Sequence, residues 1–143
     1  MLTLKVKRLY EDAVIPARGS ALAAGLDLCA QDGAVIPPHT TILVGTGIAA
    51  AIPEGYFGGL YARSGLASKF GLRPANCVGV IDADYRGEIK VAVHNDGNEE
   101  QVVEKGQKIA QLIVQPYPET KIVITDELPE TQRGDGGFGS TGR

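Results

Sequence analysis

The chain has 143 residues, of which 43% are hydrophobic and 22% are charged, so we expect one domain built around one core. Its formal net charge of −3 excludes the broad basic surface on which duplex nucleic acids bind. The N-terminal segment alternates as a strand does and lacks the apolar region of a signal peptide, and no segment is long and apolar enough to span a membrane. We therefore expect neither nucleic acid nor a membrane as a partner.

The two cysteines also limit the possibilities. Cys29 and Cys77 have no partner pattern of the kind that holds zinc or forms a disulfide framework. They are typical of reduced thiols in a cytoplasmic protein.

Short strands separated by glycine and proline run through most of the chain. Apolar alternation or β-branched composition predicts strands over residues 2–7, 40–52, 78–81, 88–94, 109–114 and 121–125. The segment 109–114 is apolar on both faces except at Gln111, which predicts a buried central strand. Many short strands at close spacing indicate an all-β sandwich, jelly roll or barrel.

One helix is predicted, and it starts at Arg63-Ser64-Gly65. Ser64 could cap it, Leu66 and Phe70 could face inward, and Gly71 could end it. A helix N-terminus presents free N–H groups and partial positive charge, so the same residues could hold a phosphate. The local sequence leaves both interpretations open, a plain serine cap and a phosphate site.

Residues 79–88 are interpreted as two strands joined by a tight turn with two acids and a tyrosine at its tip. Asp82 or Asp84 could be a general base, because a carboxylate that activates water needs only hydrogen-bond reach to it. The alternative is that Asp84 and Gly87 form the turn while Tyr85 packs against its neighbours.

Two more polar residues stand in apolar segments. Asp27 could form an Asx turn or take part in a site. Gln111 must be hydrogen-bonded if it is buried, either to a neighbouring strand or to a ligand.

The tail from about residue 129 differs from the rest in composition. The segment 133–142 has five glycines together with Arg133, Phe138, Ser140 and Thr141. Such a composition is typical of a disordered terminus. It also suits a flap that orders over a nucleotide, because glycine admits close phosphate approach and arginine grips phosphate oxygens.

Taken together and in order, these segments resemble the five motifs of the homotrimeric dUTPase family over nearly the whole chain. The matching segments are residues 24–30 (AGLDLCA), 62–67 (ARSGLA), 79–89 (GVIDADYRGEI), 108–113 (KIAQLI) and 133–142 (RGDGGFGSTG). The third and fifth are long and specific. Two departures are small: Ala62 stands where proline or glycine is more common, and Lys108 stands where arginine is common.

The resemblance implies a jelly-roll-like β-sandwich or barrel of the β-clip type over residues 1–128, with one short helix. It implies a homotrimer in which the arm of residues 129–143 closes over a neighbouring subunit's active site. The implied reaction is hydrolysis of dUTP to dUMP and diphosphate, with Mg²⁺ as the cofactor.

The resemblance also assigns roles to individual residues. Asp82 would be the general base, and Asp27 would contact Mg²⁺ through water while the triphosphate holds the ion. The substrate-binding residues would be Arg63, Ser64, Gly65, Asn76, Gly79, Val80, Ile81, Tyr85, Lys90, Gln111, Arg133, Phe138, Gly139, Ser140 and Thr141. Within this set, Tyr85 would pack beneath the deoxyribose and Phe138 would stack on uracil.

Two other functions are compatible with the same scaffold. A dCTP deaminase of the same superfamily would share the fold and the phosphate site. A non-catalytic nucleotide-binding or regulatory module would keep the binding residues without turnover. The tyrosine-bearing turn and the glycine-rich flap favour a dUTPase over the deaminase, and intact Asp82, Arg133 and Phe138 favour an enzyme over the module.

Overall fold

The computed structural model describes residues 1–140 and 142, and this part of the chain forms eleven strands and one helix. In chain order they are β1 (Lys5–Arg8), β2 (Leu26–Cys29), β3 (Ala34–Ile36), β4 (Thr41–Gly45), β5 (Ile48–Ala51), β6 (Tyr56–Tyr61), α1 (Ser64–Phe70), β7 (Leu72–Pro74), β8 (Gly79–Ile81), β9 (Lys90–Asn95), β10 (Gln101–Val103) and β11 (Lys108–Pro116). The all-β class with one short helix is confirmed. None of the elements in the described residues is a helix long and apolar enough to cross a membrane.

The strands form four antiparallel sheets that pack as a sandwich and do not close into a barrel. The largest has the order β2-β11-β6-β8, and a three-stranded sheet has the order β4-β9-β7. Two smaller sheets pair β1 with β5 and β3 with β10. The prediction of a central strand over 109–114 is confirmed, because β11 lies between β2 and β6 in the largest sheet.

Alternation along these strands separates the core from the polar surface. Leu112 of β11 lies opposite Leu60 of β6, and both are buried between the sheets. Each such leucine contributes roughly 1.5–3 kcal/mol relative to an exposed position. The adjacent residue, Gln111, points to the opposite face because side chains alternate along a strand, and there it lies beside Tyr61 and Asp27.

The helix confirms part of its sequence prediction and corrects the rest. Gly71 ends α1 in the left-handed conformation at φ 65°, which glycine adopts without steric penalty. Arg63, and not Ser64, occupies the N-cap position, and no side chain caps the helix by a hydrogen bond. Leu66 is buried as predicted, whereas Phe70 is about half exposed because it lies in the last turn, at the edge of the sandwich.

Two strand predictions were wrong. The segment 79–88 is not a two-stranded hairpin, because β8 pairs with β6 and β9 pairs with β4 and β7 in another sheet. Its turn therefore carries the chain from one sheet to the next. The predicted strand over 121–125 has no strand pairing, since the chain leaves the sandwich after Pro116 and this apolar segment is exposed.

Candidate active site

The first polar cluster forms where β6 gives way to α1. Arg63 has an extended backbone at the N-cap, and Ser64 and Gly65 open the helix on the surface. A Cβ added to Gly65 would meet no atom within 4 Å, so the backbone at this point is open to an incoming group. The residues predicted to hold phosphates therefore share one exposed, donor-rich corner.

Asp27 of β2 joins this cluster through two ion pairs. Its Oδ1 lies 3.2 Å from the Nε of Arg63, and its Oδ2 lies 3.0 Å from the Nζ of Lys108. The Asp27 side chain is only 16% exposed, whereas Lys108 is 49% exposed. Two cations share one carboxylate, so the cluster keeps a net positive charge that suits a polyphosphate. The sequence interpretation did not include Lys108 among the site residues, although it opens the fourth motif.

Gln111 of β11 connects the largest sheet to the turn that precedes α1. Its Nε2 donates a hydrogen bond to the backbone carbonyl of Ala62 at 2.9 Å, which places the half-buried amide behind Arg63. Gly25 approaches the Gln111 side chain so closely that a Cβ there would overlap Oε1. Of the two partners left open by the sequence, the structure supplies the neighbouring backbone, and Gln111 supports the turn that carries Arg63 and Ser64.

A second cluster surrounds a cavity of about 320 Å³ next to β8. The cavity brings together seven predicted site residues, Asn76, Gly79, Val80, Ile81, Asp82, Tyr85 and Lys90. Its wall also includes Leu43 and Leu60. The sequence did not predict them as site residues, because each is an ordinary apolar residue of a strand. Asp82 is exposed at the mouth, so a water molecule can reach its carboxylate.

The turn that carries Asp82 is closed by its own hydrogen bonds. The backbone N–H of Tyr85 donates to the carbonyl of Asp82 at 3.1 Å, and the Tyr85 hydroxyl donates to the carbonyl of Glu88 at 2.8 Å. Arg86 donates to the carbonyl of Ala83 at 2.6 Å. These contacts, all within the segment 82–88, define the shape of the turn.

The two clusters lie at opposite ends of β6. Ile81 pairs with Gly58, so Asp82 lies level with Phe57, whereas Arg63 follows the other end of the strand. Phe57 and Arg63 are six residues apart, which at about 3.3 Å per residue is a separation of roughly 20 Å. One subunit therefore does not bring Asp82 and Arg63 to the same atom of a substrate.

The C-terminal arm, residues 129–143, contacts neither cluster through a hydrogen bond in the described part of the chain. Arg133 donates from Nε to the carbonyl of Gly136 at 2.6 Å, within the arm itself. Phe138 is fully exposed and has a positive φ of 52°, and Gly139 and Ser140 are also exposed. Thr141, the last of the predicted site residues, lies outside the described residues.

Structural similarity places this β-sandwich in the dUTPase structural class. A mutant dUTPase of Staphylococcus bacteriophage 80alpha with dUpNHpp matches it with a TM-score of 0.92 and 30% identity, over 100% of both chains. A dUTPase of phage phi11 of S. aureus, described with a structural Mg(II) ion, has a TM-score of 0.81 and 28% identity, and the match covers 88% of this chain and 98% of that one.

The sequence comparisons agree with the structural ones. The dUTPase family model matches residues 11–142. The deoxyuridine 5'-triphosphate nucleotidohydrolase of Hydrogenobaculum sp. (strain Y04AAS1) is 49% identical over 142 residues, which cover 99% of each chain. The chain therefore belongs to the dUTPase family of dUTP nucleotidohydrolases, which confirms the resemblance of its five motifs.

Proposed function

We propose that this dUTPase hydrolyses dUTP to dUMP and diphosphate at a composite site between the subunits of a homotrimer. The observation that carries the proposal is the strand register, which places Asp82 beside Phe57 at one end of β6 while Arg63 follows the other end, a separation of roughly 20 Å at the usual rise per residue. A general base must lie within about 2.6–3.2 Å of its water, or reach it through one further water. Phosphates bound at Arg63 of one subunit therefore need Asp82 from another copy.

In the proposed reaction, Asp82 accepts a proton from the water that attacks the α-phosphorus. The bond between that phosphorus and the bridging oxygen then breaks, and diphosphate leaves. Phosphoryl transfer depends mostly on position and charge stabilisation, so one base and many donors are sufficient. Arg63, Ser64, Gly65 and Gln111 supply those donors to the α- and β-phosphates.

The cavity beside β8 is the proposed site for deoxyuridine. Backbone groups of Gly79, Val80, Ile81 and Lys90, with the Asn76 amide, read the uracil edge. A cytosine amino group would oppose a donor there and leave buried polar groups unpaired, which can give discrimination on the order of 10⁴. Tyr85 packs beneath the sugar and leaves no volume for a 2′-hydroxyl.

The arm of a third subunit completes the proposed site. Arg133, Gly139, Ser140 and Thr141 close on the γ-phosphate, and Phe138 stacks on the uracil. This role accounts for an arm whose Phe138 ring is exposed and whose Arg133 side chain, among the described residues, donates a hydrogen bond only within the arm itself. Closure also excludes water from the site, which strengthens its electrostatic interactions.

The carboxylate near Arg63 fits a Mg²⁺ ion that is held mainly by the substrate. Mg²⁺ prefers oxygen ligands, keeps several waters, and is commonly bound by one or two carboxylates plus phosphates. Asp27 is the single carboxylate in this cluster, and the described residues contain no group of three or more candidate metal-ligating side chains. Asp27 would contact the ion through water, and the chemistry that Mg²⁺ would supply is neutralisation of charge on the leaving diphosphate.

We also assign the enzyme to the cytoplasm on the basis of its thiols. Cys29 and Cys77 are both free, as is typical of a reducing compartment, and burial raises the pKa of the Cys29 thiol.

A release assay across dUTP, dCTP, dTTP and UTP tests the proposal. We expect diphosphate release from dUTP alone, dependent on Mg²⁺. Ammonia release from dCTP would support the deaminase alternative. Tight dUTP binding without turnover would support the non-catalytic module. Sedimentation of an active monomer would contradict the composite site.

A further inference from the structure

Tyr85 lies directly against Gly87 in the turn between β8 and β9. A Cβ added to Gly87 would lie 2.5 Å from the Tyr85 Oη, 2.7 Å from Cζ and 3.0 Å from Cε1. Favourable contacts between non-bonded heavy atoms lie near 3.5–4.0 Å, so a methyl group and the ring in its present position exclude each other.

The requirement for glycine at position 87 is spatial and not conformational. Its φ lies outside the left-handed region, so alanine can adopt the same backbone without strain. The atoms that a methyl group would meet belong to the far end of one side chain and not to the main chain. The Tyr85 ring is therefore the part that would move.

The direction in which the Tyr85 ring would move is indicated by the residues that line the cavity. Tyr85 lines the cavity that also contains Asp82 and Asn76, whereas Gly87 does not line it. A methyl group at Gly87 would therefore meet the ring from a position outside the cavity wall. The ring is held back in this position by the hydrogen bond of its hydroxyl to the Glu88 carbonyl at 2.8 Å.

We propose that Gly87 is a positioning residue that sets the depth of the sugar pocket by letting Tyr85 lie back against the turn. A methyl group at position 87 pushes the ring into the cavity and breaks its bond to Glu88. The pocket then becomes too shallow for deoxyribose. This inference depends on the proposed contact between Tyr85 and the sugar.

A double-mutant cycle tests the coupling between the two residues. The measurement is calorimetric binding of dUpNHpp to the assembled enzyme in the wild type, Gly87→Ala, Tyr85→Ala and the double variant. We expect Gly87→Ala to weaken binding on the order of tenfold, from the lost hydrogen bond and the displaced rotamer. In the Tyr85→Ala background the same change should alter binding less than about twofold, because the obstructing ring is gone.

Steady-state kinetics and a matched control complete the design. Gly87→Ala should raise KM for dUTP far more than it lowers kcat, and its melting temperature should stay close to that of the wild type. Leu22→Ala serves as the control, because it removes an almost fully exposed side chain that belongs to neither cluster. That variant should bind dUpNHpp as the wild type does.

Three results would overturn the inference: unchanged binding in Gly87→Ala, an equal loss in both backgrounds, or an unfolded Gly87→Ala protein. Failure of the proposed function is a separate outcome. It would appear as a wild-type protein that does not hydrolyse dUTP, or as a Tyr85→Ala variant with an unchanged preference for dUTP over UTP.

Discussion

Phe138 offers a sharp test of the arm, because its ring is exposed and packs against no core residue in the described chain. The ring is fully exposed, and its residue lies in a segment of glycine-rich turns. Phe138→Ala therefore removes no buried apolar contact from the described chain. We expect the melting temperature and the oligomeric state to stay unchanged.

The magnitude of the effect on activity comes from the stacking that the proposed closed state gains. Stacking of an aromatic side chain on a base is worth about 1–3 kcal/mol, which corresponds to roughly 5- to 150-fold in kcat/KM. Ordering the arm opposes this gain, at about 1–2 kcal/mol per residue of backbone entropy. Charge-assisted contacts of Arg133 and hydrogen bonds from the arm's other donors to the phosphates would offset part of this cost. Deletion of residues 133–143 should thus reduce activity more than Phe138→Ala alone.

The assay is kcat/KM for dUTP with diphosphate detection, alongside thermal unfolding of each variant. Leu22→Ala is the matched control, because it removes an almost fully exposed apolar side chain from the loop before β2. It should leave activity unchanged. Full activity of Phe138→Ala would refute the stacking role, and unfolding of the truncated protein would show that the arm is structural.

The remaining predictions concern the two clusters and the assembly. Asp82→Asn should bind dUpNHpp normally but lose turnover, because an amide cannot accept the proton; turnover near the wild-type rate would exclude Asp82 as the base. Tyr85→Ala should raise kcat/KM for UTP relative to dUTP, and an unchanged ratio would place sugar selection elsewhere. Lys108→Met should weaken dUpNHpp binding and reduce its salt dependence, because Lys108 supplies the second cation beside Asp27 at 3.0 Å. Lys105→Met, which removes a cation paired with Asp12 on the surface, should change neither quantity. Sedimentation should give a homotrimer. A stable active monomer would contradict the conclusion that Asp82 and Arg63 of one subunit, roughly 20 Å apart, cannot act on the same substrate atom.

Local patterns in the sequence were sufficient for the strand content, one helix end and the family. β11 was predicted as a central strand because its residues are apolar on both faces, and Gly71 was predicted to end α1 because only glycine takes the left-handed conformation without penalty. The five motifs indicated the family because each contains its own chemical signature over a few consecutive residues. All of these signals act within a short segment.

Only the tertiary structure decided which segments meet. The turn 82–89 reads locally as a hairpin, yet β8 and β9 enter different sheets because each finds its ladder partner far away in the chain. The ion pair of Asp27 with Lys108 and the lining of the cavity by Leu43 likewise depend on strand register across the whole sandwich. Periodicity specifies the face on which a side chain lies but not the neighbour it contacts there, because pairing is decided by the packing of all the sheets together.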